Sequence, residues 1–166
     1  MKTKFFVFGK LKTPGLRDTG DYYIKLLRSW TEVEEIELRP QTVPDKSPIT
    51  RLKIQEKEGE LLLEQIEKRA DPRHFYLLDE KGKPRTTYQW AEWLQDEEKK
   101  GGNGLTLSFC IGSSLGFSEP VRKKAKGLFS LGPQTLSHEL ARVVLLEQVY
   151  RAQSVTKGHP YHNEGS

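Results

Sequence analysis

Short apolar runs alternate with amphipathic stretches along most of the chain. Residues 4–8 are rich in β-favouring side chains and stop at Gly9, which predicts a strand. Past Pro14-Gly15, Tyr22, Tyr23, Leu26, Leu27 and Trp30 recur at helical spacing, so a helix is expected over residues 21–30. Residues 33–38 mix apolar and acidic positions, as an exposed edge strand does. Residues 40–48 carry three prolines and read as the least regular segment. An amphipathic helix follows over 49–69, then a strand over 74–78 closed by a turn at 79–84. Residues 86–99 read as a helix that stops at Gly101-Gly102-Asn103-Gly104. The strongest strand spans 105–111. After it come a Gly/Ser loop at 112–116, a short basic helix near 120–126, a strand at 128–131, a loop at 132–135 and a long helix over 137–155.

Strands alternating with helices imply an α/β fold: a mostly parallel sheet of about five strands with helices on both faces. In such sheets ligands bind beyond the carboxyl ends of the strands. The loops after Leu78, Ile111 and Leu131 are therefore the places to look for a site. The last helix is apolar all round, with Leu140, Val143, Val144, Leu145, Leu146, Val149, Tyr150 and Ala152 leaving no wide polar arc. A terminal helix of a small domain does not easily bury every side in its own core, so a homodimer contact is expected there.

The length of 166 residues supports one domain, and 35% hydrophobic content with 10% aromatics is enough for a core rather than disorder. No apolar run approaches the roughly 20 residues of a membrane-spanning helix, and the apolar stretch 5–8 is too short for a signal peptide. Cys110 is the sole cysteine, which excludes an intrachain disulfide and a cysteine-based zinc cluster. A cytoplasmic location without membrane contact is expected. The net charge of +4 is unevenly spread: residues 1–20 carry five cations and one acid, and 120–126 carry four cations and no acid. An anionic partner held at these two places, or simply a solubilising face, accounts for the pattern.

Gly112-Ser113-Ser114-Leu115-Gly116 matches G-x-S-x-G after a strand, the nucleophile-elbow pattern of a serine hydrolase with Ser114 as nucleophile. The acid and histidine that such an enzyme needs are poorly supplied, and a glycine-rich turn cradling a ligand explains the same residues. His159 and His162 find no convincing third ligand, so no metal is expected. Cys110, Trp90 and Trp93 read as packed residues. A non-catalytic ribosome- or RNA-binding module also fits the basic segments.

Several segments taken in order carry a family resemblance. They are Phe8-Gly9-Lys10-Leu11-Lys12, Lys57-Glu58-Gly59, Leu77-Leu78-Asp79 before Gly82-Lys83, the 111–116 run, Leu136-Ser137-His138, residues 141–152 and Pro160-Tyr161-His162. Together they resemble the ribosomal large-subunit RNA methyltransferase H family of SPOUT methyltransferases, across essentially the whole chain. The resemblance implies a single domain over 1–166 with a functional tail at 156–166, a carboxyl-terminal trefoil knot and a homodimer. The implied reaction is S-adenosylmethionine-dependent methylation of N3 of a pseudouridine in large-subunit ribosomal RNA, with an assembled ribosome as the expected substrate.

By matching position, Leu78, Gly112, Leu131, Gly132, Pro133, Gln134, Thr135 and Leu136 would bind the cofactor. His162 would act as general base, while Tyr161 and Arg151 would position the nucleotide or stabilise its charge. Lys10, Lys12, Arg122, Lys123, Lys124 and Lys126 would hold RNA phosphates. Ser113 stands where relatives usually have glycine, and Gly132-Pro133-Gln134 and Asn163 also depart from the family pattern.

Overall fold

The computed structural model describes residues 1–163. In chain order the elements are β1 (Lys2–Phe8), α1 (Leu16–Leu27), β2 (Glu32–Leu38), α2 (Pro48–Arg69), β3 (Phe75–Pro84), α3 (Thr87–Gly101), a 3-10 turn (Gly102–Gly104), β4 (Thr106–Ile111), α4 (Glu119–Lys124), β5 (Gly127–Ser130) and α5 (His138–Thr156). The strands form one sheet in the order β2-β1-β4-β3-β5, and every pairing is parallel.

Successive strand side chains point to opposite faces, so the apolar runs in β1 and β4 feed two cores at once. Phe5, Val7, Leu107 and Phe109 join the core under α1, α3 and α5. Phe6, Phe8 and Cys110 join the core under α2 and α4. A parallel sheet covered on both faces needs such continuous apolar runs. β2 lies at the edge, as its acidic pattern predicted, and Lys2 and Lys4 pair with its Glu32 and Glu34.

Helix starts follow local chemistry. The Ser47 side chain accepts from Thr50 N ahead of Pro48, Thr86 and Gln89 form a reciprocal capping box, and Ser137 accepts from Leu140 N. Two elements differ from expectation. α1 begins at Leu16 rather than residue 21, because Gly15 at φ 84° turns the chain into a helix whose first turn is mostly polar. β3 continues past the expected end at residue 78: residues 79–82 leave the ladder, and Lys83 and Pro84 then rejoin β5. Gly82 permits this, since a Cβ there would lie 2.8 Å from the Leu128 carbonyl carbon.

The all-round apolar character of α5 is largely accounted for within one chain. The helix packs beside α1 and α3 against the sheet, where Leu145, Leu146, Val149 and Tyr150 are buried, and only Leu140 among its large apolar residues stays exposed. Trp30 stacks on Tyr150 with centroids 4.8 Å apart, and the tail folds back so that Tyr161 meets Tyr150 edge-on at 4.7 Å.

Beneath α3 lies a buried polar knot. Glu97 is 4% exposed and accepts from Tyr76 Oη at 2.8 Å and Lys126 Nζ at 2.7 Å. Burial alone would raise its carboxyl pKa, but the bonds from Lys126 and Tyr76 outweigh it and hold the group below the usual carboxylate range. The carboxylate therefore stabilises the fold fully above its unfolded pKa, and that contribution fades as pH falls through the lower folded value. Glu97→Gln should cost about 1–3 kcal/mol at pH 7 by urea denaturation. The gap from wild type should narrow at pH 3; a gap of equal size at both pH values would contradict this account.

Candidate functional site

Three loops converge at the carboxyl ends of the strands: residues 79–82 inside β3, 112–116 after β4, and 131–136 after β5. With His138 and Ala141 of the first turns of α5 they enclose a cavity of about 350 Å³, within the usual range for a small-molecule site. Of the eight residues expected to bind a cofactor, Leu78, Gly112, Leu131, Gly132, Gln134, Thr135 and Leu136 line it. Pro133 is exposed and does not. Leu78, Ile111, Leu131 and Leu136 give the cavity apolar walls. Gly132 sits at φ 119°, a conformation side chains rarely adopt, with nothing within 4 Å of where a Cβ would stand.

Polar side chains from the far face of the sheet hold these loops. Glu58 of α2, 4% exposed, accepts from Ser113 Oγ at 2.6 Å with one oxygen and from Gln41 N at 3.1 Å with the other. Ser113 Oγ in turn accepts from Leu115 N, and Gln55 Nε2 donates to Leu115 O at 2.5 Å. Arg122 Nε donates to Asp79 Oδ2 at 2.8 Å, and Thr135 Oγ1 donates to Glu80 Oε1 at 2.9 Å, joining two of the three loops. The serine that departs from the family pattern thus gives this chain an anchor that a glycine lacks.

The first turns of α5 also hold the loop after β1. Glu139 accepts from the backbone N–H groups of Lys12 and Thr13 and from Thr13 Oγ1, and the Thr13 N–H above all pulls its carboxyl below the ordinary range. Arg142, almost fully buried, pairs with Glu35 at 2.8 Å and Glu37 at 3.0 Å. Its Nη1 also reaches Gly9 O at 3.5 Å. Lys10 and Lys12 are left exposed on that loop, without an ion pair among the described residues.

The proposed catalytic residues stand elsewhere in the chain. Arg151 lies thirteen residues past His138 on α5, about 20 Å along the helix at a rise of roughly 1.5 Å per residue. Among the described residues, none beyond Ala141 lines the cavity. Arg151, Tyr161 and His162 do meet one another. Arg151 Nη1 lies 3.2 Å from His162 Nδ1, its Nε donates to Glu147 at 3.0 Å, and its guanidinium sits 4.8 Å from the Tyr161 ring centre. An arginine only donates, so His162 Nδ1 accepts, and a neutral ring then carries its proton on Nε2. Burial, then the hydrogen bond Tyr161 makes to Tyr23 and the charge of Glu147, keeps the Tyr161 phenol protonated well above its usual pKa.

The six cations expected at RNA are not equivalent. Arg122 is taken up by Asp79 and Glu119, and Lys126 by Glu97 at the amino end of β5. Lys123 and Lys124 are exposed and unpaired among the described residues. Ser114 is not held as a nucleophile. Among the described residues, none other than glycine has positive φ, so the strained elbow is missing, and no hydrogen bond to a histidine activates the Ser114 hydroxyl. Burial pushes the Cys110 thiol far above its usual pKa, leaving it inert. Among the described residues, no group of three or more His, Cys, Asp or Glu is placed to hold a metal, and no helix is long and apolar enough to cross a membrane.

Sequence reasoning missed Glu58, Asp79 and Glu80 as parts of the site. Glu58 and Asp79 stood within the motifs that carry the resemblance.

A sequence profile described as "Predicted SPOUT methyltransferase" matches residues 1–162. The chain is 38% identical over 163 residues to the ribosomal RNA large subunit methyltransferase H of Streptococcus gordonii, covering 98% of this chain and 99% of that protein. It is 37% identical, over the same shares, to the protein of that name from Lactobacillus delbrueckii subsp. bulgaricus. Among solved structures, a probable methyltransferase from Bordetella pertussis aligns with TM-score 0.55 at 12% identity, covering 91% of this chain and 93% of that one. A tRNA (m1G37) methyltransferase from Aquifex aeolicus aligns with TM-score 0.53 at 15% identity, covering 100% and 77%. At these identities the two structures speak for the fold alone.

The Glu58 anchor is testable without any ligand. Glu58→Ala should speed amide hydrogen exchange in residues 112–116 by about tenfold or more, the worth of a hydrogen bond to a charged group. Exchange in the middle of β4 should stay at the wild-type rate. Equal acceleration in both segments would mean a global loss of stability instead.

Proposed function

The chain belongs to the SPOUT methyltransferase family, and from that premise we propose that it methylates N3 of a pseudouridine in large-subunit ribosomal RNA with S-adenosylmethionine as donor. The observation that supports this best is the cavity: seven of the eight residues assigned to the donor by resemblance line one pocket built from three separate loops. The residues present fit such a group. Apolar walls suit an adenine, open glycine backbone at Gly132 allows close approach, and the carboxylate of Glu80 with the cation of Lys81 suits an amino-acid moiety. When bound, the donor supplies an electrophilic methyl group on its sulfonium. The protein's own task is to orient the acceptor base and remove its imide proton.

The tail residues at 156–163 cannot reach the cavity of their own chain along α5, so the reading includes a homodimer in which each tail serves its partner's cavity. Tyr22 and Leu140 are exposed apolar side chains suited to that contact. In the working site His162 takes the imide proton. It can do so only once Arg151 leaves Nδ1, and a released guanidinium is then free to hold the developing negative charge. Tyr161, a neutral phenol, orients the nucleotide. Lys10, Lys12, Lys123 and Lys124 contact phosphates, while Arg122 and Lys126 act through Asp79 and Glu97. An assembled ribosome in the cytoplasm is the proposed setting.

The decisive assay is tritiated methyl transfer to ribosomes from cells lacking the activity, with the modified base identified afterwards. N3-methylated pseudouridine is the expected product; label in another base would discard the substrate assignment. His162→Ala should lower turnover while leaving the calorimetric Kd for S-adenosylmethionine unchanged.

A mixing experiment tests the shared site. Gly132→Val blocks the cavity and His162→Ala disables the tail, so each variant alone should be inactive. Random exchange of subunits should restore about a quarter of the wild-type sites if the tail acts across the dimer. A mixture that stays inactive would place both parts of the site in one chain.

A further inference from the structure

Counting charges along the sequence and counting those left unpaired in the fold give different maps. By sequence, the positive surplus lies at 1–20 and 120–126. In the fold, Lys2, Lys4, Arg17, Arg122 and Lys126 are each neutralised by acidic neighbours. Arg39, Lys46, Arg51 and Lys53 have no ion pair among the described residues, and all four are exposed. Of the two acids within residues 39–57, Asp45 is engaged by Ser47 N at 2.8 Å and by Thr50 Oγ1, in the cap of α2. Glu56 is the other.

These cations stand beside the site. Gly9 N donates to Leu38 O at 2.8 Å, so Lys10 and Arg39 leave neighbouring strand ends on the cavity side of the sheet. Gln41 N is bonded to Glu58, which holds Ser113 of the 112–116 loop, and Gln55 of the same helix holds Leu115. The linker and the first turns of α2 therefore border the cavity loop directly. Ile49 and Leu52 are 71% and 56% exposed among the cations, apolar surface of the kind that packs on ribose and base faces.

We propose that the rim formed by residues 39–53 is an RNA-contacting surface, continuous with Lys10 and Lys12, which grips the phosphodiester backbone flanking the target nucleotide. Unpaired cations beside exposed apolar side chains complement a phosphate-and-sugar chain, and phosphate contacts set register without reading sequence. This inference rests on the RNA substrate proposed above.

The test measures binding to large ribosomal subunits, and separately to protein-free large-subunit ribosomal RNA, over a range of KCl. The rim variant carries Arg39→Ala, Lys46→Ala, Arg51→Ala and Lys53→Ala. A control variant with the same charge change carries Lys25→Ala, Arg28→Ala, Lys99→Ala and Lys100→Ala, exposed cations toward the carboxyl ends of α1 and α3, at the opposite end of the sheet. The rim variant should lose about 3 from the slope of log K against log salt, at roughly 0.7–0.9 per phosphate contact. At 0.1 M KCl it should bind both RNA targets at least tenfold more weakly, with its Kd for S-adenosylmethionine unchanged. The control variant should behave as wild type.

A wild-type slope in the rim variant, or equal loss in both variants, overturns the inference alone. Loss on subunits without loss on free RNA assigns the rim to a ribosomal protein and also overturns it. A wild-type protein that binds neither target removes the RNA reading itself, and the rim with it.

Discussion

Helix α5 lies over the sheet beside α1 and α3 with nearly every side covered, and near its start it carries a buried guanidinium. Arg142 is held by Glu35 and Glu37 of the edge strand and reaches the carbonyl of Gly9. A buried charge is tolerated only when paired and hydrogen-bonded, and removing one partner of such a pair costs about 3–5 kcal/mol. This pairing sets where along the sheet α5 can sit. One turn earlier, His138 and Ala141 wall the cavity and Glu139 holds the loop that carries Lys10 and Lys12. Farther along, Tyr150 receives both Trp30 and Tyr161. The cavity wall, the loop after β1 and the tail are thus fixed to one rigid element.

The same rigidity separates the functional parts. A straight helix with its first turn at the cavity cannot also bring Arg151 there, because its rise carries that residue about 20 Å away. The proposed division of the active site between two copies rests on the length of α5 rather than on its hydrophobicity. The apolar surround that first pointed to a partner is satisfied mainly by α1, α3 and the sheet. The proposed dimer therefore rests on geometry rather than on buried apolar area.

Charge shows a similar shift. Acidic β2 and buried Glu97 absorb several of the cations in the linear map. The positive charge left near the cavity lies partly on a segment whose sequence looked merely irregular. Arg122, a surface cation by sequence, proves to be a brace for Asp79 at the cavity.

Much of the fold was legible beforehand because its signals are local. Periods of two and 3.6, capping residues such as Ser47, Thr86 and Ser137, and glycines after strands placed the five strands and five α-helices of the described residues, apart from the start of α1 and the extension of β3. The three cavity loops followed from a general property of parallel sheets. What stayed illegible depends on partners distant in sequence: the excursion of β3 rests on contact with β5, and the Glu58–Ser113 bond spans 55 residues. By itself the sequence determined the elements, their parallel arrangement and the family to which they are similar. The tertiary structure alone decided which charges remain free, which loops are anchored and which end of α5 meets the cavity, because pairing and burial depend on neighbours that only the folded chain brings together.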